Sequence, residues 1–448
     1  MQVPRSWVTR LLPLTALVAV VPASARESRR LSVNDAVAIA VAERSEVKQA
    51  DVDVLRARLA ELRARLQYTQ LTVQASFTEQ AQALNVNAPA SIFVDCETTG
   101  TCRNESHVYT AGANLTIPLF SGLRVESDIA HARALTTAAR QQRRSTVRGI
   151  VVEVVDTYWT VRRADLTHGL LEQALQREIE IEQSTKARVD AGITPVVDYY
   201  RAHLLVLRQQ SQIKSIAEQR DAALAELGAV LQIDGPVELT DDPPESAPVV
   251  PDLASLEQEA LKARPELLAA AATAEAQRFS VRSAKAAYFP QLSLIGSANV
   301  GNQVFLPSDP GQSQPEERPI GNFFVGGQVN WLIFDMLTTW MNVKDAAHLY
   351  DRLRQDLVRQ RYVVLADVRS TYERLRHEVD RLTVGQLTAR VAQETIESLR
   401  KRYRVGSAAI YEVTAAEDQL VSVETDLIAT RIAIAQAQAE LRAAVGRL

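Results

Sequence analysis

Glycine and proline are scarce in this chain of 448 residues, 17 of each, and cysteine (2), methionine (3) and tryptophan (4) are scarcer still. So few turn formers exclude a loop-rich β protein and favour long helices. The six histidines (107, 131, 168, 203, 348 and 377) are scattered without metal-ligand spacing. No glycine-rich phosphate loop follows a strand pattern, and no Ser or Cys nucleophile sits in a recognisable setting. The sequence therefore offers no catalytic, cofactor-binding or metal site, and it reads as a protein that is not an enzyme. A formal net charge of −4 disfavours nucleic acid as a partner.

Long apolar runs are also missing. The longest near the start, Leu11 to Val21, follows Arg5 and Arg10 and precedes the small residues Ala23-Ser24-Ala25. It is shorter than the ~20 residues a spanning helix needs, so residues 1–25 are expected to be a secretory signal peptide, a tethered N-terminus being the alternative. Its removal would take the net charge from −4 to −6. Cys96 and Cys102 lie close together in a polar stretch, and in an exported protein they are expected to form a small disulfide, worth roughly 2 kcal/mol.

What the chain has in abundance is internal repetition. At a shift of 214, Arg188-Val-Asp-Ala-Gly192-Ile-Thr-Pro-Val-Val-Asp198 falls on Arg402-Tyr-Arg-Val-Gly406-Ser-Ala-Ala-Ile-Tyr-Glu412, Gly112 on Gly326 and Phe120 on Phe334. Nearer the start of each copy the shift is 220, pairing Arg44-Ser45-Glu46 with Arg264-Pro265-Glu266 and Tyr68 with Tyr288. The expected organisation is repeat 1 over 26–237, a Pro-rich acidic linker over 238–252, and repeat 2 over 253–448.

Each copy reads helix, two strands, two helices. Residues 32–69 carry Leu55, Leu59, Leu62 and Leu66 at alternating spacings of four and three, the narrow stripe of a coiled-coil-like seam. Long helices are expected at about 124–190 and 195–231, and again at 337–404 and 407–446. A helix over 124–190 would reach about 100 Å, far beyond a globular core. Between the helices the period becomes two, giving strands at about 69–82 and 107–120, then 290–301 and 322–334. Alternation suits an ordinary half-buried sheet as well. Export, strands of about the ~10 residues a bilayer requires, and aromatics such as Tyr109, Phe120, Phe323, Trp331 and Phe334 toward strand ends favour a membrane barrel. Four strands per chain would leave edge groups unpaired in lipid, so the barrel must close between chains. Three copies would give twelve strands and room for a lumen, hence an expected homotrimer.

The whole pattern resembles the TolC-type outer-membrane efflux protein family. The resemblance rests on the duplicated unit, Ile117-Pro118-Leu119-Phe120-Ser121-Gly122 after the second strand, Tyr288-Phe-Pro-Gln-Leu292 entering the third, and the two Gly-centred helix turns. It implies a mainly α protein with a membrane β-barrel portion, trimeric and twelve-stranded, continued by a long α-helical barrel. It also implies an exit duct in the outer membrane of a Gram-negative-type bacterium, serving efflux or type I secretion. Outer-membrane lipid, a periplasmic adaptor (membrane fusion) protein and an inner-membrane pump would be its partners. Gly192, Ile193, Thr194, Gly406 and Ser407 look like the family's periplasmic tips, which meet the adaptor. Helix grammar alone also accounts for them, with Gly ending one helix, Thr194 or Ser407 capping the next and Pro195 in its first turn. Asp198 and Glu412 look like part of an acidic constriction, and Tyr403 resembles a gate tyrosine, although acidic residues in a helix's first turn also simply favour the macrodipole. Ala408 stands where some members carry a latch arginine, and Met336 replaces the glycine expected from Gly122. A periplasmic adaptor or structural coiled coil is the alternative reading.

Overall fold

The computed structural model describes residues 29–68, 70–85, 101–233, 235–305 and 316–447. The expected signal peptide and Cys96 lie outside the described residues, so the proposed disulfide does too. Repeat 1 comprises β1 (Arg29–Leu31), α1 (Val33–Glu43), α2 (Ser45–Leu66), β2 (Gln70–Asn85), β3 (Thr101–Phe120), α3 (Arg124–Asp190) and α4 (Val196–Leu231). After β4 (Val237–Leu239) come α5 (Leu253–Ala263), α6 (Pro265–Lys285), β5 (Gln291–Phe305), β6 (Glu316–Asn330), α7 (Thr338–Arg404) and α8 (Ile410–Val445). The duplication is metric as well as sequential: α3 and α7 have 67 residues each, α4 and α8 have 36 each.

Three expectations need correction. The helix expected over 32–69 breaks into α1 and α2, because Arg44 takes an extended backbone and serves as cap to both. Its repeat equivalent Arg264 does the same between α5 and α6. Both guanidiniums are nearly buried and chelated alike, Arg44 by Glu46 and Glu153, Arg264 by Glu266 and Asp367. Glu153 and Asp367 are themselves 214 apart, so the break is a duplicated ion cluster that sequence periodicity alone does not reveal. Secondly, the start of the linker is ordered: β4 pairs in parallel with β1. Tyr158 pins this corner, its hydroxyl donating to the Leu31 carbonyl and accepting from the Asp241 amide, 3.1 Å each. Thirdly, β6 ends at Asn330 and not near 334, because β5 begins at Gln291 and gives the later residues no partner.

The long helices start from a second duplicated device. Leu123 and Leu337 both take φ +68°, preceded by Gly122 at +63° and Met336 at +53°. The side chains one step earlier close the turn, Ser121 Oγ accepting from the Val125 amide (3.3 Å) and Asp335 Oδ2 from that of Thr339 (2.7 Å). Side by side, α3 packs on α4, α6, α2 and α8, and α7 packs on α8 and α6. Leu227, Leu231, Tyr158 and Ile432 centre one apolar core near β1 and β4, and Val368, Leu375, Leu382 and Ile434 centre another between α7 and α8. Among the described residues no helix is long and apolar enough to cross a membrane.

The four long strands form one antiparallel sheet in the order β2-β3-β5-β6. Registers such as Leu71↔Leu115, Leu115↔Gly296 and Leu292↔Val329 put Leu71, Val73, Leu115, Ile117, Leu292, Leu294, Val325 and Val329 on one face, while Ile295 and Phe324 lie on the other. Among the described residues nothing covers that face, with Val73 75% and Phe323 81% exposed. On the polar face Gly112 sits opposite Asn299, whose Oδ1 lies where a Cβ at 112 would stand.

Candidate functional site

The far end of the helices, away from the sheet, carries the residues singled out by sequence. α3 and α7 stop because a glycine follows within two residues and takes a left-handed φ, +70° at Gly192 and +80° at Gly406. Other residues adopt that conformation at a cost, which is why glycine ends helices this way. The Ile193 amide then donates to the Arg188 carbonyl and the Ser407 amide to that of Arg402, 2.9 Å in each case. The expected side-chain caps are absent. Pro195 is itself the N-cap of α4 and Ala409 that of α8, and neither start has a side-chain cap. The hydroxyls turn back to the helices just ended: Thr194 Oγ1 accepts from Arg188 Nε at 3.4 Å, and Ser407 Oγ donates to the Arg402 carbonyl at 3.1 Å.

Around these turns Gly192, Ile193, Gly406 and Ser407 are exposed and Thr194 is half-buried. Val196, Val197 and Val405 add exposed apolar surface beside them. Asp198 is half-buried with Arg201 at 3.9 Å. Glu412 keeps one carboxylate oxygen buried and, among the described residues, without a hydrogen-bond partner. Tyr403 is buried, and it contacts repeat 1. Its hydroxyl bonds that of Thr185 at 3.0 Å, the Arg188 guanidinium lies 4.9 Å from its ring centre, and Arg188 Nη1 donates to its carbonyl at 2.8 Å. Arg188 therefore stitches the two helical hairpins together. Among the described residues neither Asp198 nor Glu412 bonds to Tyr403.

Further up from the tip lies a buried charge cluster that the sequence reading missed. On α8 the inward stripe runs Ile410, Val413, Glu417 and Leu420, so a carboxylate occupies a core position. Glu417 is fully buried and receives Arg177 Nε from α3 and Arg400 Nη2 from α7, both at 2.6 Å. One carboxylate thus joins three helices. On α3 the stripe Leu171, Ala174, Glu178 and Thr185 places a second acid inward. Glu178 has one oxygen buried and, among the described residues, without a hydrogen-bond partner, and Glu424 Oε2 stands 3.7 Å from Arg177 Nη2. Burial first, then the nearby Glu417 and Asp418, push the Glu178 carboxyl up to about 8 against the pull of Arg177 and Arg208. It therefore keeps its proton at neutral pH. Burial, with Glu417 adding to it against Arg177, also raises Glu424. The signal that could have found this cluster was present: following the apolar stripe of α8 one turn at a time lands on Glu417.

Chemically the arrangement fastens helices and holds a titratable proton. Among the described residues no group of His, Cys, Asp and Glu is placed to hold a metal ion.

Comparison with known proteins agrees with this geometry. The family model described as outer membrane efflux protein matches residues 49–231 and 256–447, so both repeats are covered. The toluene efflux pump outer membrane protein TtgC of Pseudomonas putida is 23% identical over 346 residues, 72% of this chain and 66% of the relative, just under two thirds of its length. The outer membrane efflux protein BepC of Brucella suis biovar 1 is 24% identical, covering 81% of this chain and 76% of its own. Among solved structures, CusC superposes with a TM-score of 0.75 at 17% identity, covering 92% of each chain. The Neisseria gonorrhoeae MtrE outer membrane channel gives 0.72 at 19% identity, covering 92% of this chain and 88% of that one. These two likenesses establish the fold, and the family model, spanning both copies of the duplicated unit, establishes that the chain belongs to the outer membrane efflux protein family.

Proposed function

We propose that three copies of this chain form the exit duct of a tripartite export system, passively conducting cargo that an inner-membrane pump delivers through a periplasmic adaptor. The observation that carries this reading is a sheet with one mostly apolar face that, among the described residues, is open at both edges, β2 and β6. In hydrocarbon each unpaired edge group costs several kcal/mol, so a lone chain cannot rest there. Eight strands would nearly fill their own interior, whereas twelve leave an aqueous lumen. Below the sheet, α2 exposes Leu55, Leu59, Leu62 and Leu66, and α7 exposes Tyr362, Val363, Leu387 and Val391. These are outer helices of the single chain, and neighbouring copies would cover their apolar stripes. Family membership supports an outer-membrane transport role for the chain.

In this reading Gly192, Ile193, Thr194, Gly406 and Ser407 meet the adaptor. Asp198 and Glu412, repeated by threefold symmetry, ring the narrow mouth, and Tyr403, held by Thr185 and Arg188, keeps that mouth narrow. The Cys96–Cys102 bridge belongs to the same proposal, and an impermeant thiol reagent on intact cells should label neither cysteine until reductant is added. The functional test is conductance in planar bilayers: cation-preferring pores are expected, and Asp198→Asn with Glu412→Gln should weaken the preference. Unaltered selectivity in that double variant would remove the acidic ring, and absence of pores would remove the duct.

A further inference from the structure

We propose that the seam between the α3–α4 and α7–α8 hairpins is a proton-dependent latch, in which the buried carboxyl of Glu178 keeps the hairpins together while it carries a proton and lets them part once it is ionised. The latch would regulate the tip of the duct proposed above, and it rests on that reading only for its consequence in transport.

The first support is a count of charges in a dry place. Glu178 on α3 is 2% exposed. Around it stand Arg177 and Glu182 of its own helix, His203 and Arg208 of α4, Arg400 of α7, and Glu417, Asp418 and Glu424 of α8. His203 and Glu182 form a pair of their own at 2.8 Å. The others are three arginines and four carboxylates. Glu417 receives both Arg177 and Arg400, Asp418 lies 3.7 Å from Arg208, and Glu424 shares Arg177 at 3.7 Å. Glu178 is thus the carboxyl left without a cation of its own. With one proton kept there the cluster is neutral. Without it, an uncompensated negative charge is buried where α3 meets α8, which is unfavourable in a medium that water does not reach.

The same imbalance recurs higher on the seam. Asp156 of α3 faces Glu440 of α8, which Arg374 of α7 holds at 2.7 Å. Burial first, then Glu440, push the Asp156 carboxyl up to about 6 against the pull of Arg374. Pairs inside each hairpin are matched, Arg220 with Asp165 between α4 and α3, and Arg374 with Glu440 between α7 and α8. The excess of acid lies between the hairpins.

The direction follows from hydration. Parting the hairpins admits water, and a hydrated Glu178 returns toward the ordinary 4.5 from about 8. Acid therefore favours the closed seam. Between those two values each pH unit lowers the closed-to-parted ratio by up to about tenfold. Thr185 and Arg188 grip Tyr403 across the same two hairpins nearer the tip, so parting α3 from α8 loosens that grip as well.

Electron-spin distance measurements on purified protein test the latch. Labels are carried by Lys186→Cys on α3 and Gln419→Cys on α8, both exposed, in a chain whose Cys96 and Cys102 are replaced by Ser. From pH 6.5 to 8.5, above the range of Asp156, the share of the longer distance within a chain should rise by about fivefold or more. In Glu178→Gln, neutral at every pH, the rise should stay under about twofold. Two exposed variants decide the matter even if that core variant does not fold. Asp418→Asn removes a charge that raises Glu178 and should move the rise to lower pH, whereas Arg208→Gln removes one that lowers it and should move the rise to higher pH. Distances that ignore pH in the parent, a rise that persists in Glu178→Gln, or exposed variants that fail to shift in opposite directions would each overturn the latch. Conductance of the same protein in planar bilayers separates the two readings. Pores with a seam that ignores pH remove the latch and leave the duct, whereas a pH-dependent seam in a protein without pores removes the duct and leaves the latch.

Discussion

The two halves of the molecule share helix lengths, a chelated arginine at the same break and one hairpin register, yet they differ wherever a surface is bare. The last residues of β3 are held by β5, while their equivalents after β6 have no strand beside them among the described residues. Gly122 fits tightly against the end of α6, while Met336 faces open space. At the tip Arg188 crosses to the other hairpin, while its equivalent Arg402 turns home, Nη2 donating to the Ser407 carbonyl at 3.3 Å. A duplicated fold built on one plan thus shows, by its asymmetries, where the two halves have diverged.

Four sets of substitutions sharpen that contrast. The largest effect is expected at Glu417, whose loss in Glu417→Ala strands two arginines and should destabilise the helical hairpins by roughly 3–5 kcal/mol. Its equivalent His203 makes a single bond to Glu182 at a half-exposed site, so His203→Ala should cost under about 1 kcal/mol. Helical ellipticity against denaturant measures both, and equal losses would contradict the asymmetry. Next, Arg264→Ala should cost roughly 3 kcal/mol and Arg44→Ala about 2. The difference arises because Arg264 Nη1 also donates to the Ala444 carbonyl at the end of α8, at 2.6 Å.

The third concerns the Glu178 proton. The unfolded chain releases it near the ordinary 4.5, whereas the folded chain keeps it to about 8. Stability from this group is therefore complete in acid and declines as pH rises through that window, by about 2–3 kcal/mol between pH 5 and 7. Glu178→Gln should flatten the slope, and an unchanged slope would assign it to other groups. The smallest effect is at Met336, where Met336→Gly relieves a left-handed backbone and should stabilise by about 1 kcal/mol. Gly122→Ala should destabilise, because the added Cβ meets a carbonyl oxygen.

The order of elements was legible because the seams speak clearly: leucines at four and three in α2, alternation in β3, and a glycine after α3, α7 and α8. In the second copy Pro265 stands in the first turn of α6, directly after the break at Arg264. Ser45 takes that place in the first copy, where the break needs the ion cluster with Glu153 to explain it. The tip residues were placed by sequence at the turns, but the partnership of Tyr403 with Thr185 and Arg188 depends on how the hairpins lean together, which no local pattern encodes. The Glu417 cluster was hidden because a charge on a narrow seam looks like the solvated face beside it. The end of β6 was misread for the opposite reason: its alternation is real, but a strand needs a neighbour, and no described strand of the chain supplies one there.

A membrane cylinder that no single copy can close requires several chains, and the most direct measurement is native mass spectrometry of the protein extracted from the outer membrane. A particle of three chains is expected. A stable particle containing one chain would contradict the account at its root.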